Sequence, residues 1–358
     1  MAVKIFTQLT PDDTGSMSSR ISEGIFTGGL GELTSFYTSS AQITSTGDYL
    51  IDVYYEATSS TTSEVQFSIS YGHYAGSGST ITDDAKPTKA IYSQYRNLLL
   101  EPTDTKFTFN GIDSDHIVVL NMKRSRFKEN IDPGNWQLTL TSGSNSITLT
   151  DDSLQSLGSG NTASVTAGGK KYYNIVSGTI ASGPSGSTYA YYGLMYHELG
   201  LFVLNADAIN TGLYMGADSS SFITQSVNAV TAPSNNTRAF MIVSGGASFK
   251  ARSEETLNSQ HYFIRLKSKE YNFSNNPTYT TGSLGRIIDT INKRGVPFSY
   301  VTSIGLYNDQ NELLATAKLS QPIFKAPGTE ALIKVRLDFV WFLALLPSAY
   351  QVLNGLLA

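Results

Sequence analysis

In one stretch after another of this sequence, apolar residues fall on every second position, and that period restricts the possible folds more than any other feature. Near the C-terminal end, Tyr262, Ile264 and Leu266 share one phase, and Tyr300, Thr302, Ile304 and Leu306 share another. Leu313, Ala315, Ala317 and Leu319 make a third set. In a fourth, Ile333, Val335, Leu337 and Phe339 alternate with Leu332, Lys334, Arg336 and Asp338. A side-chain period of two puts each set on one face of a pleated sheet. Asn308-Asp309-Gln310-Asn311 are all turn formers, so the second and third sets read as a hairpin.

The same period governs the first half. Ile51 and Val53 keep step with Tyr49 and Tyr55, and Val65, Phe67, Ile69 and Tyr71 read as a half-buried strand. Ile117–Leu120 and Leu201–Leu204 are apolar without alternation, which suits central strands buried on both faces. Asp132-Pro133-Gly134 is a turn signal before Trp136, Leu138 and Leu140. A helix is predicted from Pro87, with Ile91, Tyr95, Leu98 and Leu99 on its inner side. A second is predicted over 285–295, with Ile287, Ile288 and Ile291 buried, and a short one near Ser16–Ile25. Residues 208–222 fit a helix or a loop equally.

The fold class is therefore mainly β, a β-rich α+β protein of antiparallel, sandwich-like sheets with a few short helices. The expected divisions are an N-terminal arm (1–45), a β-domain with one helix (46–155), an inserted β-rich domain (156–250) and a C-terminal β-domain (251–339) packing with 46–155. An apolar tail (340–358) completes the chain. The tail reads as a strand end plus an amphipathic helix from Pro347, placing Tyr350, Leu353 and Leu357 against another subunit. Pro347, Ser348, Gln351 and Asn354 interrupt it, whereas a membrane span needs ~20 continuous apolar residues, so no membrane is expected. The N-terminus has no apolar run of the kind a secretory signal carries.

Charged residues make up only 15% of the chain, below the usual ~25%, while Tyr (21) and Phe (17) are abundant. Tyr gives large contact area at modest entropic cost, so such a surface suits coverage by partners. A net charge of −4 gives no electrostatic support to nucleic-acid binding. Without cysteine there is no disulfide or thiolate site. His73, His116, His197 and His261 lie far apart, HExxH is absent, and His197-Glu198 reads as a packed pair. Asp83-Asp84 and Asp151-Asp152 read as surface acidic turns. No cofactor, metal or catalytic residue is expected. The candidate interface residues are Lys123, Arg124 and Arg126 in the densest basic run; Asn272, Asn275, Asn276 and Pro277 in a turn-forming loop; and Trp341, Phe342, Tyr350, Leu353 and Leu357 in the tail.

Five runs carry a family resemblance: IYSQYRNLLL (91–100), IVVLNMKRSRFKENIDPGNWQLTL (117–140), YNFSNNPT (271–278), IGLYNDQNELLATAKLSQPI (304–323) and IKVRLDF (333–339). Together they resemble virion structural proteins of T4-type contractile-tailed phages, including those of cyanobacteria, and within that group the baseplate wedge subunit. The resemblance implies a non-enzymatic subunit, made in the host cytoplasm and located in the virion, in the tail baseplate. Its partners would be other virion proteins and copies of itself. The alternatives are a neck or head-associated virion protein, or a carbohydrate-binding β-domain of tail-spike type, with glycan the less favoured partner.

Overall fold

The structure is a computed structural model. It describes residues 6–39, 49–78, 87–153, 165–167, 170–184, 191–215, 222, 234–274, 276–281, 286–288, 290, 296–339 and 351–353. The first elements are β1 (Phe6–Gln8), β2 (Thr14–Gly24), β3 (Glu32–Leu33), β4 (Ile51–Tyr54), β5 (Val65–His73) and α1 (Pro87–Leu99). Next come β6 (Phe107–Phe109), β7 (Ile112–Ser114), β8 (His116–Met122), β9 (Asn130–Ser142), β10 (Asn145–Asp151) and β11 (Val165–Ala167). They are followed by β12 (Lys170–Thr179), β13 (Gly183–Pro184), β14 (Tyr191–Tyr196), β15 (Leu201–Asn205), α2 (Ala206–Gly212) and α3 (Asn235–Gly246). The last are β16 (Phe249–Leu266), β17 (Thr280–Thr281), β18 (Arg286–Ile287), β19 (Ser299–Tyr307), β20 (Leu313–Lys325), β21 (Ala331–Phe339) and β22 (Gln351–Leu353). The protein is mainly β, as its alternation requires. The chain forms two compact units, residues 21–255 and residues 1–20 with 256–358.

In the larger unit, antiparallel neighbours run in the order β16, β9, β10, β12, β14, β15, β8, β5, β4. Strands from 46–155 and from 156–250 thus lie side by side in one sheet. The sheet curls on itself: Phe67 of β5 meets Phe249 of β16 at 5.4 Å, although these strands stand near opposite ends of the order. Phe249 also touches Phe26 at 5.3 Å and Phe202 at 5.8 Å, and is fully buried. The chain just after β2 spans the remaining gap. Leu33 pairs with Phe249 at one side, and Tyr37 exchanges backbone bonds of 3.0 and 2.8 Å with Tyr54 of β4 at the other. Ala239, Ile242 and Val243 of α3 join the enclosed core.

On the outer face, α1 buries Ile91, Tyr92, Tyr95 and Leu99 with Ile117, Val119 and Val203. Ile91, Tyr95 and Leu99 follow an i, i+4, i+8 stripe, Tyr92 joins it three residues before Tyr95, and Leu98 is exposed. Gly72 permits the contact, because a Cβ there would lie 2.8 Å from the backbone nitrogen of Tyr92. Strand β5 is covered on both sides instead of half-buried: Ser70 is 6% exposed, and Gln66, bonded to Thr27, is 0% exposed. The Asp132-Pro133-Gly134 signal is a bulge inside β9: the register with β16 jumps from Trp136 to Ile131 across Arg252. Gly134 takes φ +76° there, and its N–H donates to the Asp151 carboxylate at 2.7 Å. Residues 206–212 resolve the ambiguity of 208–222 in favour of a helix start, with Asn205 accepting bonds from two backbone N–H groups.

The smaller unit is a sandwich. One sheet holds β21 beside the later part of β16, with β2 on its other side; the second runs β1, β22, β19, β20. Tyr262, Ile264, Leu266, Ile333 and Val335 from the first pack against Val301, Ile304 and Leu306 from the second. Each such burial is worth about 1.5–3 kcal/mol. The β19–β20 turn closes as expected, with Asn308 Oδ1 accepting from the backbone of Gln310 and Glu312 and Asn311 at φ +62°.

Four expectations are corrected in this unit or at its edge. Tyr300 faces outward at 47% exposure and Val301 faces inward, because a bulge opposite Leu319–Pro322 shifts the phase between Val301 and Ser303. Thr14–Gly24 is a strand where a short helix was expected; its Ser- and Gly-rich sequence forms helix poorly, and β16 supplies ladder partners. Arg286–Ile287 pairs in extended form with Thr280–Thr281, so the helix predicted over 285–295 does not begin there; 291–295 lie outside the described residues. Gln351–Leu353 is a strand between β1 and β19, not part of a helix, since two strand edges offer it backbone partners.

Candidate functional site

The basic run forms a tight 3-10 turn, Arg124–Arg126, between β8 and β9. Arg124 donates to the carbonyls of Glu198 at 2.9 Å and Lys128 at 3.2 Å, and its guanidinium lies 4.7 Å over the Phe127 ring. Arg126 pairs with Glu64, and Lys128 pairs with Glu255 at 2.9 Å and Glu23 at 3.5 Å. Most of this positive charge is therefore spent inside its own unit, fastening the turn. Lys123 remains exposed beside it.

The 268–279 loop is held more tightly than its turn composition suggests. Asn276 Oδ1 accepts from Thr278 N at 3.0 Å, and Pro277 opens a 3-10 turn. Tyr279, 3% exposed, donates to the carbonyls of Phe298 at 2.9 Å and Asn272 at 3.3 Å. Asn272 donates through Nδ2 to Ser268 O at 2.9 Å and accepts through Oδ1 from Lys325 Nζ at 2.8 Å. Lys325 ends β20 with 0% exposure, and its amine also reaches Ser268 O at 3.2 Å. Burial pushes that amine below the usual lysine range, against the fields of Glu270 and Glu330. Sequence reasoning missed Lys325, yet it lies in the inward phase of Ile323, which was a usable signal.

The sandwich also presents an exposed apolar face. Phe298, Tyr300 and Phe324 form a ring cluster with centroids 5.2–5.8 Å apart, and Tyr300 and Phe324 are each 47% exposed. Leu313 and Leu314 are exposed farther along β20, at 51% and 40%. Strand β20 has 13 residues and is the last in its sheet's order. Among the described residues it pairs with β19 alone. Lys318, Pro322 and the bulge between them blunt the middle of this edge, and the stretches on either side are a template for adding another strand. Of the tail residues, Trp341, Phe342, Tyr350 and Leu357 lie outside the described residues, as does Asn275, and Leu353 is placed only as backbone in β22.

Two histidines distant in sequence meet across the ladder, because His73 and His116 are register partners in β5 and β8. His116 bonds through Nε2 to Asp207 of α2 and through Nδ1 to the Tyr71 hydroxyl at 3.2 Å. The bond from His116 holds the Asp207 carboxyl below its ordinary range. Burial pushes the Tyr71 hydroxyl up and the His73 imidazole down. Tyr71 and His116 are at most 2% exposed, while the Asp207 side chain at the end of the network is 62% exposed. No sequence signal gave the β5–β8 register that makes this network.

The expected surface turn at Asp151-Asp152 is buried instead, at 1% and 6% exposure. Asp151 accepts from Gly134 N and Ser153 N, and Asp152 from the backbone and side chain of Asn174, so both carboxylates complete the ladder around β10. Asp83 and Asp84 lie outside the described residues. A cavity of about 310 Å³ opens between the closing segment and the residues just after β4, lined by Phe26, Leu30, Tyr37, Tyr55 and Glu56 among others. Glu56 accepts from Thr62, Tyr55 and Ser60, which bring its carboxyl down to about 2. Among the described residues no group of three or more His, Asp or Glu is placed to hold a metal ion, and no helix is long and apolar enough to cross a membrane. Comparison with known proteins finds no matching family model, no matching curated protein and no matching solved structure.

Proposed function

We propose that this chain is a non-enzymatic structural subunit of a phage virion, a tail baseplate wedge component acting through protein–protein contacts. The supporting observation is the exposed face of the smaller unit: the Phe298, Tyr300 and Phe324 cluster beside β20, which among the described residues is paired on one edge only. An aromatic patch next to a strand edge offers both desolvation and backbone pairing to a neighbour. The internal use of Arg124, Arg126 and Lys128 moves the contact away from the basic turn toward this face. The virion assignment draws on the sequence resemblance of residues 91–100, 117–140, 271–278, 304–323 and 333–339.

A carbohydrate-binding β-domain is the second reading, and the Tyr37 and Glu56 cavity is what favours it. The Glu56 carboxylate is already occupied by three hydroxyl donors, which weighs against a sugar contact there. Particle composition tests the proposal. Purified virions of the source phage should contain the chain in a fixed ratio to other tail proteins. Its absence from particles, or saturable glycan binding by the isolated chain, would contradict the assignment.

A further inference from the structure

The contact between the buried Lys325 and the half-buried Asn272 has the reactants and the placement for a covalent bond. Lys325 Nζ lies 2.8 Å from Asn272 Oδ1, inside the smaller unit, with no exposure to solvent. The attacking and leaving nitrogens share one acceptor: Lys325 Nζ donates to Ser268 O at 3.2 Å and Asn272 Nδ2 donates to the same oxygen at 2.9 Å. That shared bond fixes which end of the Asn272 amide is nitrogen and keeps both nitrogens beside the side-chain carbonyl carbon. Tyr279, bonded to Asn272 O and Phe298 O, holds the loop from its other side. Holding two groups in contact within a rigid frame replaces a bimolecular encounter with an intramolecular one, worth many orders of magnitude in effective concentration.

We propose that Lys325 and Asn272 become joined by an intramolecular isopeptide bond. The lone pair of neutral Nζ attacks Cγ of Asn272, forming the N–C bond and shifting the carbonyl pair onto Oδ1. A proton then passes from Nζ to Nδ2, the Cγ–Nδ2 bond breaks with its electron pair going to nitrogen, and ammonia leaves as the carbonyl reforms. One amine and one primary amide give one secondary amide and one ammonia, with no oxidant, reductant or cofactor. Burial favours the neutral amine that the attack needs. The product would tie the loop after β16 to the end of β20, across 53 residues of sequence. It would brace the unit that presents the aromatic face, in a chain with no cysteine to form a disulfide. The proposal does not depend on the virion assignment.

The test is the intact mass of the purified full-length chain, followed by digestion and fragment sequencing. The expected result is a mass one ammonia below that of the sequence and a branched peptide joining the segments that contain Asn272 and Lys325. Lys325→Arg and Asn272→Ala should each return the full expected mass with no branched peptide. A wild-type chain at full sequence mass overturns the proposal. So does an ammonia loss that persists in Lys325→Arg with the two peptides separate, since a succinimide at Asn272 gives that pattern.

Discussion

Replacing Phe249 by alanine tests whether the larger unit is a sheet closed around one shared core. Phe249 is fully buried and contacts rings from three other parts of the unit: Phe26 after β2, Phe67 of β5 and Phe202 of β15. Truncating a buried phenylalanine costs about 3–5 kcal/mol through lost transfer energy and an unfilled cavity. Each edge-on ring pair adds about 0.5–1.5 kcal/mol, not fully additively. Two lost edge-on pairs, with Phe67 and Phe202, and a tilted one with Phe26 place Phe249→Ala near the top of the range, at about 4–5 kcal/mol. Phe249→Leu, which keeps most of the volume, should cost about 1.5 kcal/mol or less. The assay is urea unfolding followed by the fluorescence of Trp136, whose ring lies 4.7 Å from that of Phe202, with Trp341 replaced by Phe to remove the second signal. A loss below about 1.5 kcal/mol for Phe249→Ala would refute the closed core, because an open sheet would let this position relax toward solvent.

The other expectations concern separate parts of the chain. Glu56 is held down to about 2 from an ordinary 4.5 chiefly by its bond from Thr62, so its contribution is present above pH 4.5 and is lost as pH falls toward 2; the stability difference between wild type and Glu56→Gln should be flat above pH 4.5 and shrink below it, and a difference constant down to pH 2 would contradict this. Asp207→Ala leaves the 2% exposed His116 without its Nε2 partner and should cost about 1–3 kcal/mol by thermal unfolding, with no loss counting against the network. Truncation after Phe339 removes β22 from between β1 and β19, so it should lower the unfolding temperature of the smaller unit as well as affect assembly. Tyr300→Ser with Phe324→Ser, both at exposed positions, should change stability by no more than about 1 kcal/mol in total while weakening association measured by sedimentation; unchanged association would remove the aromatic face from the account.

What the sequence made legible was whatever a local period can encode. Tyr262, Ile264 and Leu266 and the Ile333–Val335 pair lie in the core their alternation predicts, and the unbroken apolar runs at Ile117–Leu120 and Leu201–Leu204 are central strands. The misplacement of Tyr300 has one physical cause: a bulge inserts residues on β20 and reverses the phase, and nothing in the β19 sequence announces it. The Asp132-Pro133-Gly134 signal is real backbone chemistry, a positive φ at Gly134, but β16 pairs with β9 before and after it, and the strand runs on through it. The curling of the sheet, the meeting of His73 with His116 and the burial of Asp151 depend on register between distant strands, which no local window contains. Lys325 falls between these cases. Its phase was readable, but its partner Asn272 is brought to it only by the sandwich.

The central claim, that this chain works through the neighbours it touches, is tested most directly by a cryo-electron microscopy map of the intact particle at side-chain resolution. The account predicts density for the chain in the baseplate, with Phe298, Tyr300 and Phe324 covered and the edge of β20 away from β19 paired to an adjoining subunit. A chain located in the particle with that face and edge open to solvent, or no density for it anywhere, would contradict the account.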